Sequence, residues 1–209
     1  MSKKSIIFVF GLMLVTALGC GKSQAPTAPI APAEQATPEV TATAPEPPPA
    51  AAGFVIADFN SAERKNALGG EFGAWASADD QPVAKCADEL IGGAWKISYD
   101  ITNEGSYCGS WMKLNNLDGS QYKNLIIVVK GEGEFSSKFF VELKTDNGAR
   151  VSKATVDGVT TDWKTITIPL SQFKELPSLQ GLSEFTTVFD NQIASVKKGT
   201  ILIDTISLQ

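Results

Sequence analysis

Asn124-Leu125-Ile126-Ile127-Val128-Val129-Lys130 decides the fold: five aliphatic residues run without a break between polar flanks. Such a run is what a central strand covered on both faces requires. On either side of it the chain breaks into short runs of period-two alternation separated by Gly, Asn, Asp and Ser. These runs are Val55 to Phe59, Ala94 to Thr102, Tyr107 to Leu114, Lys138 to Thr145, Thr165 to Leu170, Thr186 to Asp190 and Thr200 to Leu208. No stretch sustains helical periodicity. Only Ala84 to Ile91 and Leu170 to Lys174 are expected to make a turn or two of helix. Short strands joined by polar turns predict an all-β domain, a sandwich or barrel, over residues 53–209.

Before this domain the chain changes character twice. Residues 21–52 hold eight of the eleven prolines, mixed with Ala, Thr and Gln and without an aromatic residue. Such a composition cannot offset its ordering entropy by burial, so it is expected to be a disordered linker. Residues 1–20 begin with Lys3 and Lys4, continue as an apolar run from Ile6 to Leu18, and end Ala17-Leu18-Gly19-Cys20. That is the order of a secretory signal peptide, with a run too short to span a bilayer comfortably. The end resembles a bacterial lipobox, which implies a lipidated Cys20 and a membrane-anchored lipoprotein. Ala17 stands where a bulky aliphatic is usual, and ordinary cleavage to a free secreted protein is the alternative. By analogy with Gram-negative sorting, Gly21 in place of Asp points to the outer membrane of the cell envelope.

Composition removes several function classes. Net charge is −5, from 18 basic and 23 acidic residues, and the basic residues form no stripe, which excludes nucleic acid as a partner. The chain has no His, so the commonest general base, the usual triads and the most frequent transition-metal ligand are absent. This weighs against an enzyme. With Cys20 assigned to lipid, Cys86 and Cys108 remain, an even number that reads as a disulfide in an oxidising compartment. Two separate thiols are the alternative.

Strand parity sorts the aromatic residues, because successive side chains point to opposite faces. In the run from Ala94, the shared face of Trp95, Ile97, Tyr99 and Ile101 is core, which leaves Asp100 outside. Met112 and Leu114 pointing inward turns Tyr107, Trp111 and Lys113 outward. Phe139, Val141 and Leu143 pointing inward turns Phe140 and Glu142 outward. If these strands share one sheet, Trp111, Phe140, Tyr107, Asp100, Glu142 and Lys113 line a single face. Aromatic rings stack on sugar rings while charged groups take hydroxyls, so this mixture suits a glycan. A loop folded over the face would bury the same residues, and both readings stand.

The order of these pieces carries a resemblance. Val55-Ile56-Ala57-Asp58-Phe59, then Asn66-Ala67-Leu68-Gly69-Gly70 and Trp75, resembles the opening of galactose-binding-like β-sandwich domains. Tyr122 to Leu125, Val129-Lys130-Gly131, Phe139 to Lys144, Trp163 with Ile166 to Phe173, and Ile201 to Leu208 continue the likeness over residues 54–208. Among such domains the chain most resembles family 11 carbohydrate-binding modules and the complex I intermediate-associated protein domain. The resemblance implies a jelly-roll fold, usually without catalysis, that binds glycans or acts in assembly. It also implies a structural calcium, carried onto Asp204 first and Asp58 second, with Asn66 as a further ligand. Asp204 interrupts a closing strand where Leu202, Ile206 and Leu208 share its parity, and a core-facing carboxylate needs a metal or a cationic partner such as Arg64 or Lys65. Trp75 and Trp163 fall where the family packs a Trp near the sheet edges, which makes them structural.

Three functions follow. One is a non-catalytic glycan-binding module on a tether. Another is an envelope protein-interaction or assembly domain of the same fold. The third is a glycosidase using a carboxylate pair such as Asp100 and Glu142, which needs a cleft and a defined separation.

Overall fold

A computed structural model describes residues 53–77 and 83–209. The expected signal sequence with Cys20 and the Pro-rich segment 21–52 lie outside the described residues. Among the described residues there are eleven strands. The first six are β1 (Phe54–Ala57), β2 (Phe72–Ala76), β3 (Lys85–Ile91), β4 (Ala94–Asp100), β5 (Tyr107–Leu117) and β6 (Asn124–Glu132). The rest are β7 (Lys138–Thr145), β8 (Arg150–Asp157), β9 (Lys164–Pro169), β10 (Leu182–Asp190) and β11 (Lys198–Leu208).

The fold is a jelly-roll β-sandwich of two antiparallel sheets. One sheet runs β3-β4-β11-β6-β9, and the other β2-β5-β10-β7-β8. β11 pairs β4 through its first half and β1 through its last residues, so β1 continues the position that β4 vacates. The aliphatic run of β6 lies between β11 and β9. Leu125, Ile127 and Val129 are fully buried in the sandwich, Ile126 on the opposite face is 7% exposed, and Val128 is half-buried.

One expectation about local structure is corrected. Ala84 to Ile91 is not helical: Lys85–Ile91 is a strand paired along its whole length with β4. Its burial alternates with period two, Cys86, Asp88 and Leu90 half-buried and their neighbours exposed, as an edge strand demands. Leu170–Gln172 is a single 3-10 turn. The first strand stops at Ala57, and Phe59 takes a left-handed backbone, φ 55°, to turn its ring into the core.

The core has two aromatic centres. Phe59, Phe72 and Trp95 pack with ring centroids 5.0 to 5.4 Å apart, and Tyr99 stacks on Phe189 at 4.0 Å. Trp95 and Tyr99 are buried, as their parity predicts. Full burial of such a side chain contributes about 1.5–3 kcal/mol. Burial also pushes the Tyr99 hydroxyl up to about 12, against the hydrogen bond it accepts from the Ser136 N–H.

β3 is joined to the opposite sheet at two points. Cys86 and Cys108 of β5 form a disulfide with a Cα separation of 5.9 Å, closing a loop of 22 residues. Two residues along β3, the Asp88 carboxylate accepts hydrogen bonds from Trp95 Nε1 at 2.7 Å and from the Ala74 N–H of β2 at 2.9 Å. It also pairs with Arg64. Asp88→Ala leaves a buried indole N–H and a strand N–H unpaired, so it should cost on the order of 3 kcal/mol. Arg64→Ala removes only the 42%-exposed partner and should cost under about 1 kcal/mol. Denaturant melts of the two variants against the wild type check this; equal losses would locate the stability in the ion pair.

Candidate functional site

The second sheet bends its outer face into a groove whose floor is β10. Along that strand Phe185, Thr187 and Phe189 point into the sandwich, and Glu184, Thr186 and Val188 point out. Thr187 is satisfied below the floor by the Ser110 hydroxyl at 2.7 Å. Register places Thr186 between Trp111 of β5 and Glu142 of β7, and Glu184 between Lys113 and Lys144. Val188 lies between Gly109 and Phe140. One wall is therefore Trp75, Tyr107 and Trp111, the other Glu142 and Lys144, around an open volume of about 640 Å³.

Small residues shape the aromatic wall. Gly73 of β2 lies opposite Trp111, and a Cβ there would stand 3.3 Å from the indole, so the bare backbone is the surface on which the ring rests. Gly109 lets β5 approach β10 so closely that a Cβ would meet the Thr187 carbonyl at 1.8 Å. Trp75 donates its indole N–H to the Ser110 carbonyl at 3.3 Å and meets the Tyr107 ring edge-on at 5.8 Å. Tyr107 is 38% exposed among the described residues.

The two groove carboxylates differ in their partners. Glu184 receives Lys113 from one wall and Lys144, at 2.8 Å, from the other. Burial acts to raise its pKa, but those two hydrogen bonds outweigh burial and hold it below its ordinary value. Glu142 has an ion pair with Lys144 at 3.8 Å, and Lys153, opposite it in register, turns its ammonium over the Phe140 ring. Desolvation therefore prevails over the nearby ammonium groups of Lys144 and Lys153 and raises its pKa.

Trp111, Tyr107, Lys113 and Glu142 are brought together as their parity predicts. Phe140 shares the face, but the Lys153 ammonium lies over its ring at 4.4 Å, and it does not line the groove. Asp100 is a correction. Its strand β4 belongs to the other sheet, where Asp100 pairs with Lys198 at 3.1 Å on that sheet's outer face. Asp100 and Glu142 therefore do not flank a common cleft, and the carboxylate pair proposed for glycosidic hydrolysis is not assembled.

The residues expected to hold calcium, Asp58, Asn66 and Asp204, lie just after β1 and within β11. β11 carries a bulge between Ile203 and Thr205, which shifts its phase. Ile201, Ile203, Ile206 and Leu208 form the core face, and Asp204 sits half-buried in the bulge, accepting a hydrogen bond from the Thr205 hydroxyl at 2.7 Å. The Asn66 carboxamide is committed to its own turn: its oxygen accepts the Leu68 and Gly70 N–H groups, and its nitrogen donates to the Lys113 carbonyl. Asp58 is exposed and shares a pocket with Asn66 and Lys65, but not with Asp204. The side chains of Asp58, Asn66 and Asp204 alone supply fewer than the six to eight oxygens that calcium takes. Among the described residues no group of three or more Asp, Glu, Cys or His side chains could hold a metal.

Trp75, Lys144 and Glu184 are groove residues that the sequence reading did not place there. Trp75 was legible from parity, since burying Phe72 turns Gly73 and Trp75 to alternate outward steps across the Phe72–Ala76 strand. Trp163 is no edge packing residue: it is 42% exposed, with Lys130 over its ring at 4.9 Å.

Comparison with known proteins follows the groove. The family model for the carbohydrate binding domain (family 11) matches residues 42–200. Among solved structures, the chain is similar to the family 11 carbohydrate-binding module of a cellulosomal cellulase of Clostridium thermocellum. The identity is 19%, the TM-score 0.59, and the alignment covers 77% of this chain and 95% of that one. That organism's family 11 module in complex with a β-1,3-1,4-mixed-linked tetrasaccharide aligns at 19% identity and TM-score 0.58, covering 75% and 94%. An exo-β-agarase aligns at 16% identity and TM-score 0.53, covering 75% of this chain and 24% of its own. Comparison with curated proteins finds no match.

The two carboxylates predict a pH dependence of ligand binding. An ionised Glu142 accepts hydroxyl hydrogens at both oxygens, and protonation turns one of them into a donor and removes the charge that strengthens the other's hydrogen bonds. Affinity for a neutral polyol should therefore be full at neutral pH and fall as the pH drops through a value above the ordinary 4.5. Calorimetric titrations across pH should show that fall in the wild type and a flattened profile in Glu142→Gln. Parallel profiles would remove Glu142 from the contact.

Proposed function

The chain belongs to the family 11 carbohydrate-binding domains, and from that premise we propose that it is a non-catalytic glycan-binding module held on the bacterial envelope by a lipid at Cys20. The observation that carries the reading is the open groove over β10, with three aromatic side chains on one wall and the Glu142 carboxylate, paired with Lys144 only at 3.8 Å, on the other. Aromatic faces take the apolar faces of pyranose rings, and the carboxylate and ammonium groups take their hydroxyls. The related module's mixed-linked β-glucan tetrasaccharide supports a β-linked polysaccharide as the ligand class here. Asp100 and Glu142 lie on different sheets and the chain has no His, which supports binding without turnover.

The anchor reading rests on the apolar run and Ala17-Leu18-Gly19-Cys20. The Pro-rich stretch of residues 21–52 would hold the domain away from the bilayer, and Gly21 favours the outer membrane. Cys20→Ser should shift the protein from the membrane to the soluble fraction; unchanged attachment would refute the lipid.

Trp111→Ala should weaken binding of the full chain to β-glucan by about 10–100-fold, the range of a buried aromatic contact, with an unchanged melting temperature. Trp75→Ala should act in the same direction. Phe140→Ala should have a smaller effect, because Lys153 already occupies its ring. A glycan array and calorimetry check the series, and wild-type affinity in a folded Trp111→Ala protein would remove the platform.

A further inference from the structure

The first sheet, the one that does not carry the groove, has a trough across the strands of its outer face. Its floor is one cross-strand row of short side chains: Ala87 of β3, Ser98 of β4 and Thr200 of β11 stand opposite one another in register. The rows on either side are taller. One bank is Lys85, Asp100 and Lys198, and the other holds Glu89 and Lys96. Lys96 reaches Glu132 of β6 at 2.8 Å, and Glu132 with the turn of Gly133 and Glu134 closes that end. The open volume is about 660 Å³.

The charges around this trough do not cancel where they stand. Asp100 has a lysine opposite it on each neighbouring strand, but its carboxylate is divided between Lys198, at 3.1 Å, and the hydroxyl and N–H of Thr102. The Lys85 ammonium is left without an ion pair among the described residues. At the other end Glu132 is paired with Lys96, whereas the Glu134 carboxylate has neither an ion pair nor a hydrogen bond among the described residues. The backbone beneath it is fixed. The Glu134 carbonyl accepts the Thr200 N–H at 3.0 Å, and the approach is so close that a Cβ on Gly199 would stand 2.5 Å from that oxygen. An unpaired cation and an unpaired anion therefore mark the two ends, separated by two to three strand spacings, about 10–14 Å. Between them the Ser98 and Thr200 hydroxyls bond each other at 3.1 Å, which uses one donor and leaves the second donor and several lone pairs to a ligand.

We propose that this trough is a second binding site, separate from the glycan groove, for a short peptide with both ends unblocked. The C-terminal carboxylate lies on Lys85, the N-terminal ammonium at Glu134, and the amide groups between them over the Ser98 and Thr200 hydroxyls. The length follows from the separation of the charges: an extended chain advances about 3.3 Å per residue, so three or four residues span it. The class follows from the lining. Tyr99, the aromatic residue of the trough, is 2% exposed and stacked on Phe189, so it offers a pyranose no face, while a free charge of each sign and a hydroxyl pair match a zwitterion with amides in its middle. The proposal does not rest on the glycan reading.

The test is a ligand-observed NMR titration of the full chain, in detergent, with trialanine and tetraalanine in unblocked, N-acetylated, C-amidated and doubly blocked forms. The unblocked peptides should bind, more weakly as salt is raised, and blocking either end should weaken binding about three- to tenfold. Lys85→Gln should abolish the effect of C-amidation and keep that of N-acetylation; Glu134→Gln should do the converse. Both side chains are exposed, and neither variant should change the affinity for β-glucan, whose groove is on the other sheet. Doubly blocked peptides that bind as well as unblocked ones, or no binding of either unblocked peptide, overturn the site. Variants that respond to both blocked ends as the wild type does overturn the assignment of Lys85 and Glu134. Alanine or phosphoethanolamine bound as tightly as tetraalanine overturns the peptide in favour of a small zwitterion.

Discussion

An edge strand of one sheet fixes the wall of a site on the other. β3 reaches across the sandwich through the Cys86–Cys108 disulfide to β5, and through Asp88 to the Ala74 N–H of β2. Those receiving strands carry Trp75, Tyr107 and Trp111. Cys108 directly follows Tyr107, and Ala74 directly precedes Trp75, so each tie acts one residue from a groove aromatic. β2 is only five residues long and lies at a sheet edge. A strand so placed has few ladder bonds of its own, and the buried carboxylate supplies the order that pairing on one side cannot.

The way a groove forms on a sheet face follows from the residues at its centre. β10 places Thr186 and Val188 outward, short side chains flanked by taller ones on β5 and β7. Gly109 lowers the floor further, and Gly73 lets the Trp111 indole lie down against β2. The relief of the site is thus a contrast of side-chain height between paired strands, not a separate loop structure. Lys113 and Lys144 brace it, each reaching Glu184 from an opposite wall, so that the ammonium groups near the rings are fixed rather than free to sample solvent.

What could be read from the sequence was local. Parity put Trp95, Tyr99, Met112, Leu114 and Phe139 in the core and turned Trp111, Tyr107, Glu142 and Phe140 outward, all as the structure has them. Parity says nothing about which sheet a strand joins. Asp100 points outward as expected, but from the opposite sheet, because β4 pairs with the distant β11. Phase is also lost at a bulge. Counting back from Leu208 by twos puts Asp204 in the core, and the extra residue at Ile203/Thr205 takes it out. β3 misled for a different reason: Ala, Lys, Glu and Leu are favourable in helices, and tertiary pairing with β4 overrides that propensity.

The distinction between Glu142 and Glu184 was beyond sequence, since both are outward glutamates on neighbouring strands. It comes from which lysines reach them. Lys144 stands directly opposite Glu184 in register, while it is two residues along the same strand from Glu142. A directly opposed pair across an antiparallel ladder meets more closely than neighbours two apart on one strand. Lys113, also opposed to Glu184, adds a second donor from the other side. Glu184 is therefore saturated and structural, whereas Glu142, whose opposed Lys153 lies over the Phe140 ring, keeps only the longer pair with Lys144. A half-buried carboxylate in that condition lowers its free energy by accepting hydroxyl hydrogens from whatever fills the groove, which makes it the wall's chemically open position.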